Sequence, residues 1–458
     1  MTGTAEQSAA PAENGVPLWS LSPDSPHRTD PEALEAYYAD RRLMWRNLIL
    51  IGTAMIGWNL SVQLVTPLMA VRLLDLGVRE NIQGSISAGN FVAISFLVML
   101  FSWISDHTIS RFGRRKPYLF IAAPFIIAAV VLFPLVAAAN TVWLLLVMQV
   151  IYLLFMDLKN STFALIQVDC MPRVILARTF AALNIVGGLV GFVVNRNAGK
   201  LIALGEWVPY AVAGGVMFIT TVAASMVKEP PIYNPRKEAF KPWSTFKVAA
   251  QDKRIFVLIV GMALMMGWMV TYNQWLWFWS KESLGLSRGA VFEAISWAGL
   301  LNVVLAYPLG WVIDRYGGLR VVVVYWILCV CCFLILLNVH DKHGLALLAM
   351  LQTISVPMYW SFDIMVYKNS PAKDIGSVSA TSSCIRNAFQ GLVVLVTGWT
   401  ISWRGGDYRI GFAIGLACSS IGLLFFFLHH WLMRNPGQGA SGESLPAYDA
   451  EGVAVSAA

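Results

Sequence analysis

Long apolar stretches, each broken by a short polar one, recur along the whole chain. Set against the roughly 20 apolar residues a helix needs to cross hydrocarbon, they give twelve segments: 47–71, 84–104, 117–138, 141–168, 179–199, 207–227, 255–279, 290–312, 320–339, 344–367, 378–402 and 410–432. Runs of this length predict helices rather than strands. The expected fold is therefore an all-α membrane protein of twelve transmembrane helices. Pro67, Pro124, Gly187, Gly188, Gly191, Pro308 and Pro357 fall inside these segments. They would weaken soluble helices, but membrane helices tolerate them. Residues 1–46 read as a polar tail, 47–227 and 255–432 as two six-helix bundles, 228–254 as a linker and 433–458 as a disordered Gly/Ser/Ala-rich tail. In the first tail, Asp30-Pro31-Glu32 predicts an N-cap with proline at the first helical position. That tail holds no apolar run of the secretory-leader kind.

Composition narrows the class. The 458 residues are 57% hydrophobic and 13% charged, against about 45–50% and 25% in soluble domains. That excludes an ordinary soluble enzyme, a disordered regulator and a disulfide scaffold. The six cysteines show no zinc spacing with histidine, and no metal is expected. The histidines fall in loops, tails or near segment ends, so no buried catalytic constellation is visible and no enzyme is expected. A GxxxxGK[ST] phosphate loop is absent from the sequence, which disfavours an ATP-driven pump.

The net charge of +7 acquires a meaning once the charges are placed. Arg111, Arg114, Arg115 and Lys116 follow the second segment, and Lys228, Arg236, Lys237, Lys241, Lys247, Lys253 and Arg254 cluster near the linker. These loops lie on the same side as both tails. Positive residues mark the cytoplasmic face, so both termini are expected there, in a multi-pass protein of the cytoplasmic membrane. The basic residues then serve topology. The lipid bilayer, not nucleic acid, is the expected partner, and a monomer is expected.

The chain repeats itself. Trp103 and Trp311 are 208 positions apart, as are Asp106 and Asp314. Gly113 and Gly317 are separated by 204. Asn184 and Gly188 match Asn387 and Gly391 at a spacing of 203. A six-plus-six duplication accounts for all three. Asp106, Arg111, Gly113, Arg114 and Arg115 in one copy, with Asp314 and Arg315 in the other, form an acidic and basic loop whose charge-assisted pairs could shut the tail side of the molecule. A solvated loop that merely obeys the charge rule is the alternative.

This repeated loop resembles the signature loop of the major facilitator superfamily. Its longer form, Ser105-Asp106-His107-Thr108-Ile109-Ser110-Arg111-Phe112-Gly113-Arg114-Arg115-Lys116-Pro117, resembles that of the glycoside–pentoside–hexuronide cation symporters and the sucrose/proton symporters. Gly57-Trp58 and Leu64-Val65-Thr66-Pro67 are similar to the sucrose-transporter pattern as well. Asp157-Leu158-Lys159-Asn160 resembles that family's Leu-Asp-x-x-Asn stretch, which implies a proton-carrying role for Asp157. Here Lys159 stands in place of a small residue, and no Gly-Pro-x-Arg segment follows. The resemblance also implies that helices one, four, seven and ten line the cavity.

Ionisable residues inside membrane helices are functional candidates by default. Asp157 can load and release a proton there, or form a structural ion pair. Lys159 is two residues away and does not face it on a helix, so Arg386 is the better local partner. Asp363 can pair with Arg386 or bind substrate. Sugar recognition needs amides, carboxylates and aromatic faces. Asn59, Gln63, Asn160, Tyr272, Asn273, Gln274, Trp360, Asp363, Arg386 and Asn387 are the candidate substrate residues. Trp277 and Trp279 read more readily as an interfacial belt, and Asn184 and Asn387 as bridges between packed helices. The expected function is proton-coupled symport of a sugar or glycoside by alternating access, with sodium as the other possible ion. A major-facilitator exporter of drugs or metabolites is the alternative, and it should show an apolar cavity.

Overall fold

The computed structural model describes residues 31–108, 110, 112–171, 173–230, 246, 250, 252–316, 319–368, 375–434, 447–448 and 454–455. Helix α1 (Pro31–Ala39) precedes the spans; Asp30, its expected cap, lies outside the described residues. The first span is α2 (Arg41–Leu60) and α3 (Thr66–Asp75), joined by a π-helical turn at Ser61–Val65. Then come α4 (Glu80–His107), α5 (Lys116–Ala138), α6 (Val142–Cys170), α7 (Arg173–Leu204) and α8 (Val208–Ser225). The seventh span is α9 (Lys253–Met265) and α10 (Gly267–Glu282), broken at Met266. Helices α11 (Arg288–Tyr316), α12 (Leu319–Leu337), α13 (Lys342–Lys368), α14 (Ile375–Trp403) and α15 (Tyr408–Arg434) follow. A two-residue antiparallel bridge joins Ala447–Tyr448 to Ala454–Val455.

Ten spans among the described residues are long and apolar enough to cross a membrane. Helices α7 and α13, of 32 and 27 residues, complete the two sets of six. At about 1.5 Å per residue each exceeds the ~30 Å hydrocarbon core. The architecture is the all-α, twelve-span membrane fold that the apolar pattern predicts.

Proline explains the break in the first span. Pro67 has no N–H to give the carbonyl four residues back, so the regular ladder cannot pass Gln63. The chain answers by widening one turn, and the Thr66 N–H bonds the Ser61 carbonyl. The same carbonyl accepts the Tyr152 hydroxyl at 3.3 Å. Interrupted first and seventh spans occupy matching places in the two halves, the pattern that marks substrate sites in duplicated carriers.

Each half has its own apolar core. The second-half core contains the fully buried Trp268, Trp275 and Trp279. Trp279 packs edge-on to Phe412, with ring centroids 6.0 Å apart. This corrects the belt expectation for Trp277 and Trp279: the seventh span is enclosed by its neighbours, so its tryptophans face protein. Exposed tryptophans at other span ends, Trp45, Trp143, Trp207, Trp403 and Trp431, are the ones placed for a membrane–water interface.

The halves meet along two seams, α4 against α14 and α7 against α11. Small residues let the backbones close. A Cβ on Gly299 would lie 2.8 Å from the Phe192 nitrogen and 2.9 Å from the Gly188 carbonyl oxygen. A Cβ on Gly398 would lie 2.9 Å from the Glu80 carbonyl oxygen and 3.1 Å from the Gly84 Cα. These contacts are with backbone, which no side-chain rotation relieves. Gly299→Leu should therefore force the halves apart at the face opposite the termini. Thiol cross-linking between Arg196→Cys and Glu293→Cys should fall by about fivefold or more, the effect of roughly 1 kcal/mol against the closed seam.

Candidate substrate cavity

Between the halves lies a cavity of about 580 Å³, within the 300–1,000 Å³ typical of small-molecule sites. The first span contributes Asn59 and Gln63, and the second Gln83, Ser87 and Asn90. Gln149 comes from the fourth, Asn184 and Asn195 from the fifth, and Tyr272, Asn273 and Gln274 from the seventh. Asn302 of the eighth and Gln352 of the tenth complete the amides. Phe91, Trp277 and Phe278 supply aromatic surface. The described lining contains no Asp, Glu, Lys or Arg.

Local sequence places these amides. Gln63 sits on the widened π turn, and Asn59 one turn earlier bonds the Met55 carbonyl at 2.9 Å. The facing helix makes room for both. A Cβ on Gly187 would come within 3.0 Å of the Asn59 amide, and one on Gly191 within 2.8 Å of the Gln63 amide. Asn195 then donates to Gln63 Oε1 at 3.2 Å.

Of the residues singled out from sequence, the structure brings Asn59, Gln63, Tyr272, Asn273 and Gln274 into this cavity. Asp157 stands behind the wall, half-buried, with Oδ2 accepting from Asn90 Nδ2 at 3.0 Å. No described cation lies within ion-pair distance of it, so neither Lys159 nor Arg386 is its partner here. Lys159 is buried instead at the other side of the helix, as its two-residue offset requires. Asn160 is exposed outside the lining, three turns along from Gln149 on the same helix face. Arg386 and Asn387 are half-buried on the eleventh span and do not line the cavity; Arg386 Nη2 donates to Ser383 Oγ at 3.5 Å. The side chains of Trp360, Asp363, Asp106, Asp314 and Arg315, and all of Arg111, lie outside the described residues.

Around the loop after the second span, the described contacts of Arg114, Arg115 and Lys116 are with residues that follow the fourth and sixth spans of the same half. Arg114 and Arg115 bind Asp169, at 2.6 and 2.9 Å. The Glu229 carboxylate accepts from the backbone N–H groups of Arg114, Arg115 and Lys116, at 2.7 to 3.3 Å. That satisfies free donors at the start of α5. Gly113 turns the chain there with φ +115°, and a Cβ would sit 2.7 Å from Glu229.

Ion pairs between the halves gather at the opposite face. Asp75 at the end of α3 binds both Lys281 and Arg288 of the second half. Arg288 reaches Glu206 at 3.9 Å, and Glu206 also meets Arg72 at 3.6 Å. Arg196 pairs with Glu293 at 2.9 Å, and Tyr408 donates to Glu80 at 2.9 Å. Together with the glycine seams they close the cavity on the face away from the termini.

The family model of the Major Facilitator Superfamily matches residues 48–392. The chain belongs to the major facilitator superfamily. It is thus a multi-pass membrane transporter of small molecules. No curated protein sequence matches it. Solved structures share the fold at low identity. A mutant of the nucleoside transporter NupG is 14% identical at TM-score 0.66, over 84% of this chain and 99% of that one. A bacterial homologue of the human lysosomal transporter Spinster, inward-facing and unoccupied, is 11% identical at TM-score 0.63, over 89% and 99%. The human organic anion transporter MFSD10 is 15% identical at TM-score 0.60, over 84% and 99%.

Gln83, Asn90, Gln149, Asn195, Asn302 and Gln352 were not among the residues singled out. Their signal was available, because five are amides inside an apolar segment and Gln83 immediately precedes one. Gln83, Asn90, Asn195 and Asn302 belong to the second, fifth and eighth spans, outside the helices one, four, seven and ten that the resemblance implies, whereas Gln149 and Gln352 lie on the fourth and tenth themselves.

Asp75 is the hub of the far-face closure, and its loss leaves two cations facing each other. Asp75→Asn should shift the population toward a far-face-open state by roughly fivefold. In a background lacking the native cysteines, an impermeant thiol reagent added from that face should label Asn59→Cys correspondingly faster.

Proposed function

We propose that this protein is a proton-coupled symporter of a neutral, polyhydroxylated solute of the sugar or glycoside class. One observation carries the reading: an amide-rich, aromatic-flanked cavity whose described lining holds no charge. A charged cargo would need a countercharge there, whereas hydroxyls pair with amide donors and acceptors alike. Aromatic faces suit the apolar side of a sugar ring. A hydrophobic-drug exporter has no use for the many amides set among the apolar residues of this wall. That a fold neighbour carries nucleosides is compatible with the same class, since a nucleoside also joins a hydroxylated ring to an apolar face.

Coupling runs through Asp157 and Asn90. As a carboxylate, Asp157 accepts the Asn90 amide N–H. A proton added to Oδ2 of Asp157 turns that oxygen into a donor, and the Asn90 amide must then turn over to accept it. Asn90 is itself part of the cavity wall, so proton loading and substrate contact share one side chain. Neutralisation also removes the cost of carrying a charge through a closed intermediate. Cytoplasmic termini, given by the positive residues of the tail-side loops, set the direction: proton and solute enter from the far face.

The test is uptake into vesicles. One pH unit is worth about 1.4 kcal/mol and should support up to about tenfold accumulation at one proton per solute. Asp157→Asn should lower accumulation to the equilibrium ratio of about one while solute exchange continues. A sodium gradient that drives wild-type uptake where a pH gradient does not would replace the proton in this scheme. Expulsion of hydrophobic dyes without sugar uptake would replace the function itself.

A further inference from the structure

Four of the cavity amides are nine-tenths or more buried and hold polar atoms with nothing to bond. Gln149 Nε2 approaches Gln83 Oε1 at 3.5 Å, leaving Gln83 Nε2 and Gln149 Oε1 unpaired and shielded from solvent. Asn195 Nδ2 bonds Gln63 and leaves Oδ1 unpaired. Gln352 Oε1 accepts the Trp268 indole N–H at 2.7 Å and leaves Nε2 unpaired. A buried polar group without a partner costs about 1–3 kcal/mol, and native proteins hold few of them. Here all four residues face one cavity.

The Gln83–Gln149 pair is the informative one. Two amides joined by a single contact leave one donor and one acceptor of the pair free. A single hydroxyl, which donates and accepts at once, closes that gap. Turning both amides over exchanges the two free atoms and leaves the same complement. The Asn195 oxygen accepts from a second hydroxyl, and the Gln352 N–H donates to a third oxygen. An ether oxygen, methyl group or hydrogen in place of the first hydroxyl satisfies only one atom or none.

We infer that Gln83, Gln149, Asn195 and Gln352 form a hydroxyl-reading subsite that sets which neutral solutes the carrier accepts. This rests on the substrate class proposed above but not on the coupling ion. Such a site rejects the analogue lacking its hydroxyl far more strongly than an apolar pocket rejects an extra group, because rejection leaves buried amide atoms unpaired.

Binding to the purified full-length protein tests this without transport. Tryptophan fluorescence reads the titration, since Trp277 lines the cavity. The probes are methyl hexopyranosides with their monodeoxy series, and uridine with 2′,3′-dideoxyuridine. The wild type should bind at least one parent compound, and loss of one particular hydroxyl should weaken it about tenfold or more. Gln83→Met and Gln149→Met, each of similar size but without amide atoms, should compress that ratio to about threefold or less while still binding the deoxy compound. An undiminished ratio in both variants would overturn the subsite. So would loss of parent and deoxy binding together in both, because the Gln83–Gln149 pair would then not read hydroxyls. Failure of every probe to bind wild type would overturn both the subsite and the proposed substrate class. Normal hydroxyl discrimination in a protein that ignores the pH gradient would refute the coupling proposal and leave the subsite standing.

Discussion

Hydrocarbon offers no hydrogen-bond partners, so each amide or carboxylate carried into a membrane must find one inside the protein. That requirement orders this molecule. The apolar spans can face lipid wherever they lie, but Asn59, Gln63, Gln83, Gln149 and Asn195 cannot. They gather where the two halves face each other, and the cavity is the place their chemistry requires. Backbone obeys the same rule. Pro67 removes a donor from the first span, and the chain restores the bond by a wider turn instead of leaving a carbonyl bare. That widening carries Gln63 to the cavity wall. A helix-breaking residue and a binding residue are thus two parts of one accommodation, with Gly191 clearing space across the gap.

Closure at the far face uses a different balance. Glycine seams bring backbones near contact and exclude water and lipid between them, which is a packing effect with little dependence on solution conditions. The pairs around Asp75 and Glu293 sit in partly exposed positions, where single bridges contribute little and networks more. A seam alone would favour one state too firmly for a carrier that must reopen. Charged latches of modest worth, added over a well-fitted seam, give a closed state that is preferred yet reversible. On the tail side, Arg114, Arg115, Asp169 and Glu229 brace α5 and α6 within one half. The first two helices join this brace, since Tyr37 of α1 and Asn47 of α2 both bond the Lys228 carbonyl, at 2.6 and 3.0 Å.

The spans were legible because length and apolarity act locally, residue by residue, and twelve long runs have few other uses. The duplication was legible because the loop after the second span recurs after the eighth. Pairings across the fold were not. Asp75 meets Lys281 and Arg288 more than two hundred positions away, and no local pattern marks that meeting. Trp277 and Trp279 sit near a span end, so an interfacial belt was the reasonable expectation. Tertiary enclosure of the seventh span decides otherwise, and composition along one helix does not reveal which neighbours surround it. Asp157 stood out as a charge in an apolar run, yet its partner was sought among cations, when an amide 67 positions earlier holds it.

The identity of that partner bears on mechanism. A carboxylate locked to arginine would hold its charge tightly and resist protonation, since one proton would strand a buried cation. An asparagine imposes no such penalty, because it can face either a carboxylate or a carboxylic acid by turning its amide over. The Asn90 bond thus positions Asp157 without the fixed countercharge that would oppose the proposed proton uptake. Lys159, buried on the other side of the same helix, cannot follow a change at Asp157, because a two-residue offset keeps the two charges apart. In the coupling proposed above, Asp157 is the charge on the fourth span that a proton cancels, and Lys159 lies across the helix from it. Only the first is wired, through Asn90, to the cavity wall. A carrier needs that asymmetry. The ion must change the substrate's surroundings, and the rest of the helix must not move with it.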